Sequence, residues 1–242
     1  MTPPARLRAL TPGNGNRVVV AFPFAGAGPH AYAEWPRHMP PDVDLVVVDL
    51  PGRATRLRES PVDDLESLVD DLAGQIAPLL PRGVTVFGHS AGASMAWATV
   101  DELWRRGVNI HRLVVSGAVN PHAREQPRLD TLPRSELIDM LRVAGGTPAG
   151  ILESDELMDL SLPAIRSDLS LAWQASDRTP GGMNVPVSAI GGTSDPRVPT
   201  SALEGWRKYT RGPAEVRVLP GGHFFFNEDL AGFLQVLTLL AR

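Results

Sequence analysis

The sequence contains no cysteine among its 242 residues. This absence excludes disulfide bonds, a cysteine nucleophile and thiolate metal sites, and it is in keeping with a reducing compartment. No apolar run approaches the roughly 18 residues of a membrane-spanning helix, and residues 1–6 lack the apolar core of a secretory signal. We therefore expect a cytoplasmic protein that has no membrane partner.

The chain also has little net charge. Its 23 Lys and Arg against 27 Asp and Glu give a formal charge of −4, which excludes a generic attraction to nucleic acid or to an anionic membrane. Internal repeats and low-complexity linkers are missing as well. With 43% hydrophobic residues to fill a core, the composition predicts one domain that spans residues 1–242.

Strand-like and helix-like segments alternate along most of the chain. This alternation predicts an α/β fold with a mostly parallel central sheet and helices on both faces. The run 65–80, for example, places Leu65, Leu68 and Leu72 at helical spacing. The predicted strands are 18–22, 45–49, 84–87, 113–116, 185–190 and 215–219, and the predicted helices outside the region 120–180 are 65–80, 91–106, 201–210 and 229–241.

A G-x-S-x-G motif lies between a predicted strand and a predicted helix. Gly88-His89-Ser90-Ala91-Gly92 follows the apolar run Val84–Phe87 and precedes a stretch of small residues. Glycines two positions before and two after Ser90 leave room where strand and helix cross in a sharp turn. The motif therefore predicts that the Ser90 hydroxyl is a nucleophile at the top of the sheet.

A serine hydroxyl needs an imidazole to accept its proton and a carboxylate to orient that imidazole. Asp195 follows one predicted strand and His223 follows the next, each within a loop of Gly and Pro. The order Ser, Asp, His is typical of α/β-hydrolases, so we predict a catalytic triad of Ser90, Asp195 and His223. Each residue also has an alternative explanation when it is considered alone: Asp195 as a turn former and His223 as a loop histidine. We interpret His89, which lies inside the motif, as a packing residue.

Acyl transfer also needs N–H donors for the oxyanion of the tetrahedral intermediate. In this fold one donor is the amide after the nucleophile, here Ala91, and the other comes from an early strand-to-helix loop. The loop 22–28 follows the first predicted strand and contains small residues. We predict Ala25 as the second donor, with Phe24 as the near alternative.

The alternation breaks between residues 120 and 180, a segment that we name the lid. It shows helical stretches at 134–141, 154–160 and 162–173 and no strand. Insertions after a strand end cover the site in this fold, and the glycines of 145–150 are typical of a hinge, so we expect the lid to cover Ser90. An ordinary core position is the alternative for each apolar lid residue. The predicted substrate-lining residues are Phe24, Met140, Met158 and Trp173.

Six segments together resemble the type II thioesterases, the stand-alone editing hydrolases that accompany polyketide synthases and nonribosomal peptide synthetases. The likeness extends from about Val18 to Phe233 and keeps the order of the motifs. The segments are FPFAG at 22–26, DLPGR at 49–53, GHSAG at 88–92, GGTP at 145–148, GGTSDP at 191–196 and PGGHF at 220–224.

This resemblance implies an α/β-hydrolase fold and the hydrolysis of an acyl thioester. The implied roles are Ser90 as nucleophile, His223 as general base, Asp195 as the partner that orients it, and the amides of Ala25 and Ala91 as oxyanion donors. The implied partner is an acyl or peptidyl carrier protein whose phosphopantetheine arm bears the acyl group. We expect neither a cofactor nor a metal.

The chain departs from that family at two positions. At the position of Ala91 the family commonly has methionine. The backbone N–H is the same for either residue, but we expect the smaller side chain to change the shape of the acyl pocket. Ala54 replaces a usual glutamate, which argues against an ion-pair role for the segment around Arg53. Because carrier proteins are acidic, six arginines are candidates for a docking patch, with a solvated arginine as the alternative for each: Arg53, Arg56, Arg58, Arg124, Arg128 and Arg134.

Two other functions stay open at this point. A triad does not distinguish a thioester from an oxoester, so an esterase or amidase acting on small substrates is one alternative. A noncatalytic carrier-binding protein that keeps the fold is the other, although an intact set of Ser, Asp and His argues against it.

Overall fold

The computed structural model describes residues 4–123 and 127–242. Its strands are β1 Arg6–Ala9, β2 Arg17–Phe22, β3 Val43–Asp49, β4 Val84–His89, β5 Arg112–Ser116, β6 Val187–Gly192 and β7 Ala214–Leu219. They form one sheet in the order β1-β3-β2-β4-β5-β6-β7. β1 is antiparallel to β3, and every other neighbouring pair is parallel.

The central strands are buried on both faces of the sheet. On β2, Val18 and Val20 belong to one apolar core, whereas Val19 and Ala21 belong to the core on the other face. An uninterrupted apolar run is what a parallel sheet covered on both sides requires. The predicted fold class is therefore confirmed, with the four-residue strand β1 as an edge element that the sequence left undefined.

Helices cover the sheet on both faces. They are α1 Leu65–Ile76, α2 Ala91–Arg105, α3 Arg134–Ala144, α4 Ala149–Leu152, α5 Asp155–Gln174 and α6 Leu230–Leu240. α1 and α2 pack on one face and α6 on the other. α1 begins after Asp64, whose carboxylate accepts a hydrogen bond from the Ser67 N–H at 2.8 Å and so caps the helix.

Two of the predicted helices are partly or wholly 3-10 helices in the structure. The helix predicted at 65–80 ends at Ile76 and continues as a 3-10 helix, Ala77–Arg82, because Pro78 and Pro81 have no N–H for the α-helical pattern. The helix predicted at 201–210 is also a 3-10 helix, Thr200–Tyr209. The shorter 3-10 helices are Pro29–Tyr32, Trp35–His38, Ala54–Arg56, Leu129–Thr131, Ala175–Asp177 and Phe225–Asn227.

The lid holds α3, α4 and α5, which lie between β5 and β6. The two helices predicted at 154–160 and 162–173 are one helix of 20 residues, α5, with Pro163 inside it. A proline removes one hydrogen bond, but burial of Leu162, Ile165 and Leu169 in the apolar core of the lid holds the helix together across that gap. No helix within 4–123 or 127–242 has the length and hydropathy needed to cross a membrane.

Candidate active site

Ser90 lies in a strained turn between β4 and α2. Its φ of 54° and ψ of −123° fall outside the regions that L-residues usually adopt. A Cβ on Gly88 would lie 2.4 Å from the Gly92 carbonyl oxygen, and a Cβ on Gly92 would lie 2.4 Å from the Phe22 carbonyl oxygen. Only glycine fits at either position, which is the steric reason for the G-x-S-x-G motif.

The structure brings the three predicted triad side chains together. His223 Nε2 lies 3.1 Å from Ser90 Oγ, and His223 Nδ1 lies 2.8 Å from Asp195 Oδ2. The His223 and Asp195 side chains are 2% and 0% exposed. Both distances are within hydrogen-bond reach, so a proton can pass from the hydroxyl to the imidazole while the carboxylate orients the ring.

The loops that carry Asp195 and His223 are joined to each other. The Thr193 N–H donates to the Leu219 carbonyl at 2.9 Å, which ties the loop after β6 to the end of β7. A Cβ on Gly192 would lie 2.2 Å from the Gly222 carbonyl oxygen. The two loops thus cross at a distance that only glycine permits, and this contact fixes the relative position of the two side chains.

Asp195 carries an ionised carboxylate at neutral pH. Burial alone would raise its pKa, but the hydrogen bond with His223 and two backbone donors outweigh burial and hold the pKa below its usual value. The donors are the N–H groups of Arg197 and Val198, at 2.8 Å and 3.1 Å from Asp195 Oδ1. A carboxylate in this state stabilises an imidazolium on its neighbour.

His89 packs beside His223 at the candidate site, in agreement with its interpretation as a packing residue. It is fully buried, its Nδ1 lies 3.0 Å from Ser116 Oγ, and its ring contacts those of His223 and Phe224. Burial lowers the pKa of His89 well below its usual value, and the charges of His223 and Arg197 act in the same direction. His89 is therefore neutral in the folded chain.

Acid should destabilise the wild-type chain more than the His89→Gln variant. The unfolded histidine has a pKa of about 6.5, and the folded pKa is lower, so unfolding takes up a proton. Stability is then fully present above about pH 6.5 and falls as the pH drops toward the folded pKa, by up to about 1.4 kcal/mol per pH unit. Glutamine does not titrate and can still reach the Ser116 hydroxyl.

Urea unfolding of both proteins at about pH 7 and about pH 5.5 measures this difference. Other groups titrate equally in the two proteins, so the comparison isolates His89. An identical loss of stability in the wild type and the variant would contradict the buried, neutral state of this side chain.

Two cavities meet at Ser90 and His223, which line both. The first cavity has a volume of about 280 Å³, close to the smallest volumes that ligand pockets usually have. The second cavity is smaller, with a volume of about 30 Å³. The first is lined by Ser90, Ala91, Ser94, Gly117, Ala118, Val119, Pro127, Leu129, Leu169, Ala172, Trp173, Arg197, Val198 and His223. The second is lined by Phe24, Ala25, Ser90, Met140, Leu141, Ala144, Gly146, Thr147, Leu169, Arg197, His223 and Phe224.

The predicted oxyanion donors lie in these walls. Ala25 lines the second cavity and Ala91 the first, each beside Ser90. Ala91 is the first residue of α2, where backbone N–H groups have no partner inside the helix. Phe24, the alternative donor, also lines the second cavity, and the N–H of Gly26 is already used by Asp168 Oδ2 at 2.8 Å.

Three of the four predicted substrate-lining residues reach a cavity wall. Phe24 and Met140 line the second cavity, and Trp173 lines the first. Met158 lines neither, because it is completely buried in the apolar core of the lid. Among the described residues, no group of three or more His, Asp or Glu side chains could hold a metal ion.

Arg53 forms a buried ion pair, so the expectation that its segment has no such role is wrong. Its Nη2 donates to Asp168 Oδ1 at 2.8 Å and its Nη1 donates to Asp168 Oδ2, and the two side chains are 4% and 0% exposed. The carboxylate comes from α5 in the lid and not from the residue after Arg53. The acid between the apolar positions Ile165 and Leu169 was a sequence signal for a buried carboxylate, but it did not indicate Arg53 as the partner.

Five of the six arginines lie within the described residues, and Arg124 lies outside them. Arg56 is buried like Arg53, and Arg128 and Arg134 are each paired with a neighbouring carboxylate. Arg58 is exposed and is the one member of the described five without an ion pair or burial. The five described arginines therefore do not form a free basic patch.

Comparison with known proteins places this geometry in a family. The family model for the thioesterase domain matches residues 17–240. The gramicidin S biosynthesis protein GrsT of Aneurinibacillus migulanus is 33% identical over 225 residues, which are 91% of this chain and 87% of that protein.

Two solved structures are similar over almost the whole chain. The RedJ thioesterase of the prodiginine biosynthetic pathway in Streptomyces coelicolor is 31% identical with a TM-score of 0.85, over 95% of this chain and 87% of that one. YbtT, a type II thioesterase from the yersiniabactin NRPS/PKS biosynthetic pathway, is 25% identical with a TM-score of 0.82, over 96% of both chains. The chain therefore belongs to the thioesterase domain family and is a thioester hydrolase.

Proposed function

We propose that this chain is an editing type II thioesterase, which removes acyl groups from the phosphopantetheine arms of acyl or peptidyl carrier proteins in polyketide or nonribosomal peptide biosynthesis. In this proposal Ser90 is the nucleophile, His223 the general base and Asp195 the residue that orients the base. The observation that carries it is the hydrogen-bonded series from Ser90 Oγ through both nitrogens of His223 to Asp195, at the point where two cavities meet.

The first half of the reaction forms an acyl-enzyme. Ser90 Oγ attacks the thioester carbonyl carbon while its proton moves to His223 Nε2. The carbonyl oxygen becomes an oxyanion, and the N–H groups of Ala25 and Ala91 stabilise it. Each such donor typically contributes about 2.7–4 kcal/mol to the transition state. The carbon–sulfur bond then breaks, the imidazolium returns its proton to the sulfur, and the carrier thiol leaves.

The second half releases the free acid. His223 Nε2 takes a proton from a water molecule, whose oxygen attacks the ester carbonyl of the acyl-enzyme. The bond to Ser90 Oγ breaks, the proton returns to that oxygen, and the carboxylic acid leaves. Because two cavities meet at Ser90, where the reacting carbon must lie, we assign the acyl group to one cavity and the arm to the other.

The relatives support the carrier-protein part of the proposal. GrsT is named for gramicidin S biosynthesis, RedJ for the prodiginine pathway and YbtT for an NRPS/PKS pathway. We extend this context to the present chain, which makes an acyl-loaded carrier protein its substrate.

Rates on three substrates that share one butyryl group test the proposal. They are butyryl on a phosphopantetheine arm of a carrier protein, butyryl-coenzyme A and the nitrophenyl ester of butyrate. We expect the highest kcat/KM on the carrier, by about tenfold or more over coenzyme A, because the carrier adds binding surface to the same chemistry.

Two results would contradict the proposal in different ways. Fast cleavage of the nitrophenyl ester without cleavage of either thioester would indicate an esterase. Failure of a fluorophosphonate probe to label Ser90, together with tight binding of the carrier, would indicate a noncatalytic carrier-binding protein.

A further inference from the structure

The buried ion pair of Arg53 and Asp168 is bonded to the loop that contains Ala25, the proposed oxyanion donor. Asp168 Oδ2 accepts the N–H of Gly26 at 2.8 Å. Arg53 Nη1 donates to the carbonyl of Ala27 at 3.1 Å. The two side chains are also bonded to each other through both oxygens of the carboxylate. The backbone that directly follows Ala25 is therefore held by both members of the pair.

This part of the loop is a tight turn. The N–H of Ala27 donates to the carbonyl of Phe24 at 2.9 Å, so Ala25 and Gly26 are the central residues of the turn. Gly26 has a φ of 78°, which is the value that a type II turn requires at its third residue. In a type I turn the peptide between the central residues is rotated, and the N–H of Gly26 would point away from Asp168. The carboxylate of Asp168 therefore stabilises the type II form.

The ion pair joins this turn to two segments that are distant in sequence. Arg53 lies in the loop after β3, where its Nε donates to the carbonyl of Pro51 at 3.3 Å. Asp168 belongs to α5 in the lid. The same helix packs directly on the turn, since a Cβ on Gly26 would lie 2.6 Å from Ile165 Cγ1. The position of α5 thus determines the position of the turn.

Neither member of the pair lines a cavity. Ala25 lines the second cavity together with Ser90, whereas Arg53 and Asp168 line neither the first nor the second. The pair can therefore act on a bound substrate only through the backbone that it holds. A buried ion pair gives a protein little stability that apolar side chains of similar volume would not also give. What the two charges add is a fixed orientation of the turn.

We propose that Arg53 and Asp168 are positioning residues, which hold the N–H of Ala25 at the oxyanion and make its position depend on α5. This inference rests on the proposed function. An oxyanion donor is effective because it is fixed in place before the negative charge develops. Loosening the pair should therefore slow the chemical step and leave the binding of the uncharged substrate unchanged.

Two variants loosen the pair without removing either side chain. Asp168→Asn keeps the size of the side chain and loses its charge and one acceptor oxygen, and Arg53→Lys keeps the charge and loses the guanidinium fork. Asp44→Asn is the matched control, because Asp44 is buried, pairs with Arg82 and accepts the N–H of Gly15 at 2.8 Å. Asp44 lies near the start of β3, at the edge of the sheet opposite to the candidate active site.

Two ketones with the same alkyl chain separate the oxyanion from the uncharged ground state. Ser90 Oγ adds to the carbonyl carbon of a trifluoromethyl ketone while its proton moves to His223 Nε2, and the carbonyl oxygen becomes an oxyanion. The affinity for this ketone therefore reports on the oxyanion donors. The methyl ketone is much less electrophilic, and its affinity reports on binding without addition.

We expect Asp168→Asn and Arg53→Lys each to lower kcat on a butyryl thioester about tenfold to a hundredfold and to change KM less than about threefold. The affinity for the trifluoromethyl ketone should fall by the same factor as kcat/KM, and the affinity for the methyl ketone should change less than about threefold. Asp44→Asn should lower the melting temperature and change none of these values. All rates and affinities are measured well below the unfolding transition.

Three results would overturn the proposal. A lower melting temperature with unchanged kcat and unchanged affinities would make the pair only structural. Equal losses of affinity for the two ketones would mean that the pair shapes the acyl site. A loss of kcat in Asp44→Asn as large as in Asp168→Asn would indicate a general loosening of the fold. Where Asp168→Asn does not fold, Arg53→Lys decides among these results.

Amide hydrogen exchange separates this inference from the proposed function, because it needs no turnover. We expect faster exchange in residues 24–28 of Asp168→Asn than in the wild type, and no change there in Asp44→Asn. This result supports the hold of the pair on the turn even if the wild type hydrolyses no thioester. Unchanged exchange in residues 24–28 overturns the inference even if the wild type is an active thioesterase.

Discussion

Ser90→Ala is expected to lower kcat for thioester hydrolysis by a factor on the order of 10⁴ to 10⁶. The reason is that in the proposed mechanism Ser90 Oγ forms the acyl bond, and without it His223 has no proton to accept. Alanine keeps the Cβ of serine, so the strain at φ 54° is unchanged and the fold should persist. Circular dichroism and single-turnover hydrolysis of a butyryl thioester measure the two effects separately.

The exposed Ser201 offers a matched control, since Ser201→Ala makes the same change away from both cavities. It should leave kcat and the melting temperature unchanged. Activity of Ser90→Ala near that of the wild type would show that another group is the nucleophile. Loss of structure in that variant would instead be visible in the circular dichroism spectrum and would make the rate uninterpretable, in which case fluorophosphonate labelling of the wild type identifies the nucleophile.

Asp168→Ala is expected to reduce the free energy of unfolding by about 3–5 kcal/mol, because it leaves the Arg53 guanidinium buried and unpaired. It should also lower kcat in the molecules that remain folded. Asp168 Oδ2 accepts the N–H of Gly26 at 2.8 Å, and Gly26 follows Ala25, the proposed oxyanion donor. Urea unfolding gives the first quantity, and kcat measured well below the unfolding transition gives the second.

Asp159→Ala on the same helix is the control, since Asp159 is 66% exposed and pairs with Arg134 at 3.1 Å. An exposed pair of this kind contributes at most about 1 kcal/mol. The double variant Arg53→Met with Asp168→Leu should recover most of the stability by removing both charges. It should not recover kcat, because the Gly26 N–H still lacks its acceptor. Full recovery of both quantities would show that the pair is only structural.

The fold was largely predictable because a parallel sheet covered on both faces needs apolar runs, and Val18–Phe22 and Val84–Phe87 are such runs. Helix type was less predictable. A prediction from the local sequence treats a proline as the end of a helix. Pro163 nevertheless lies inside α5, because the apolar face of that helix is buried in the core of the lid. The edge strand β1 is mostly exposed and has only four residues, RLRA, and this alternation is too short to indicate a strand by itself.

The proximity of Ser90, Asp195 and His223 was predictable because each of them follows a strand end, and the carboxyl ends of parallel strands meet at one edge of a sheet. The pair of Arg53 and Asp168 was not, because 115 residues separate the two side chains and only the packing of α5 brings them together. Arg197 was overlooked for another reason: a single arginine beside Asp195 has no local pattern that separates a cavity wall from a solvated loop.

The anchorage of α5 limits how a substrate can reach the nucleophile. A helix of 20 residues is about 30 Å long, and α5 is fastened to the body in its second half by Asp168 and at its end by Gln174, whose Oε1 accepts the Leu65 N–H at 2.9 Å. We therefore expect α5 to stay in place when an acyl chain enters, and the shorter helices α3 and α4 to be the parts of the lid that move.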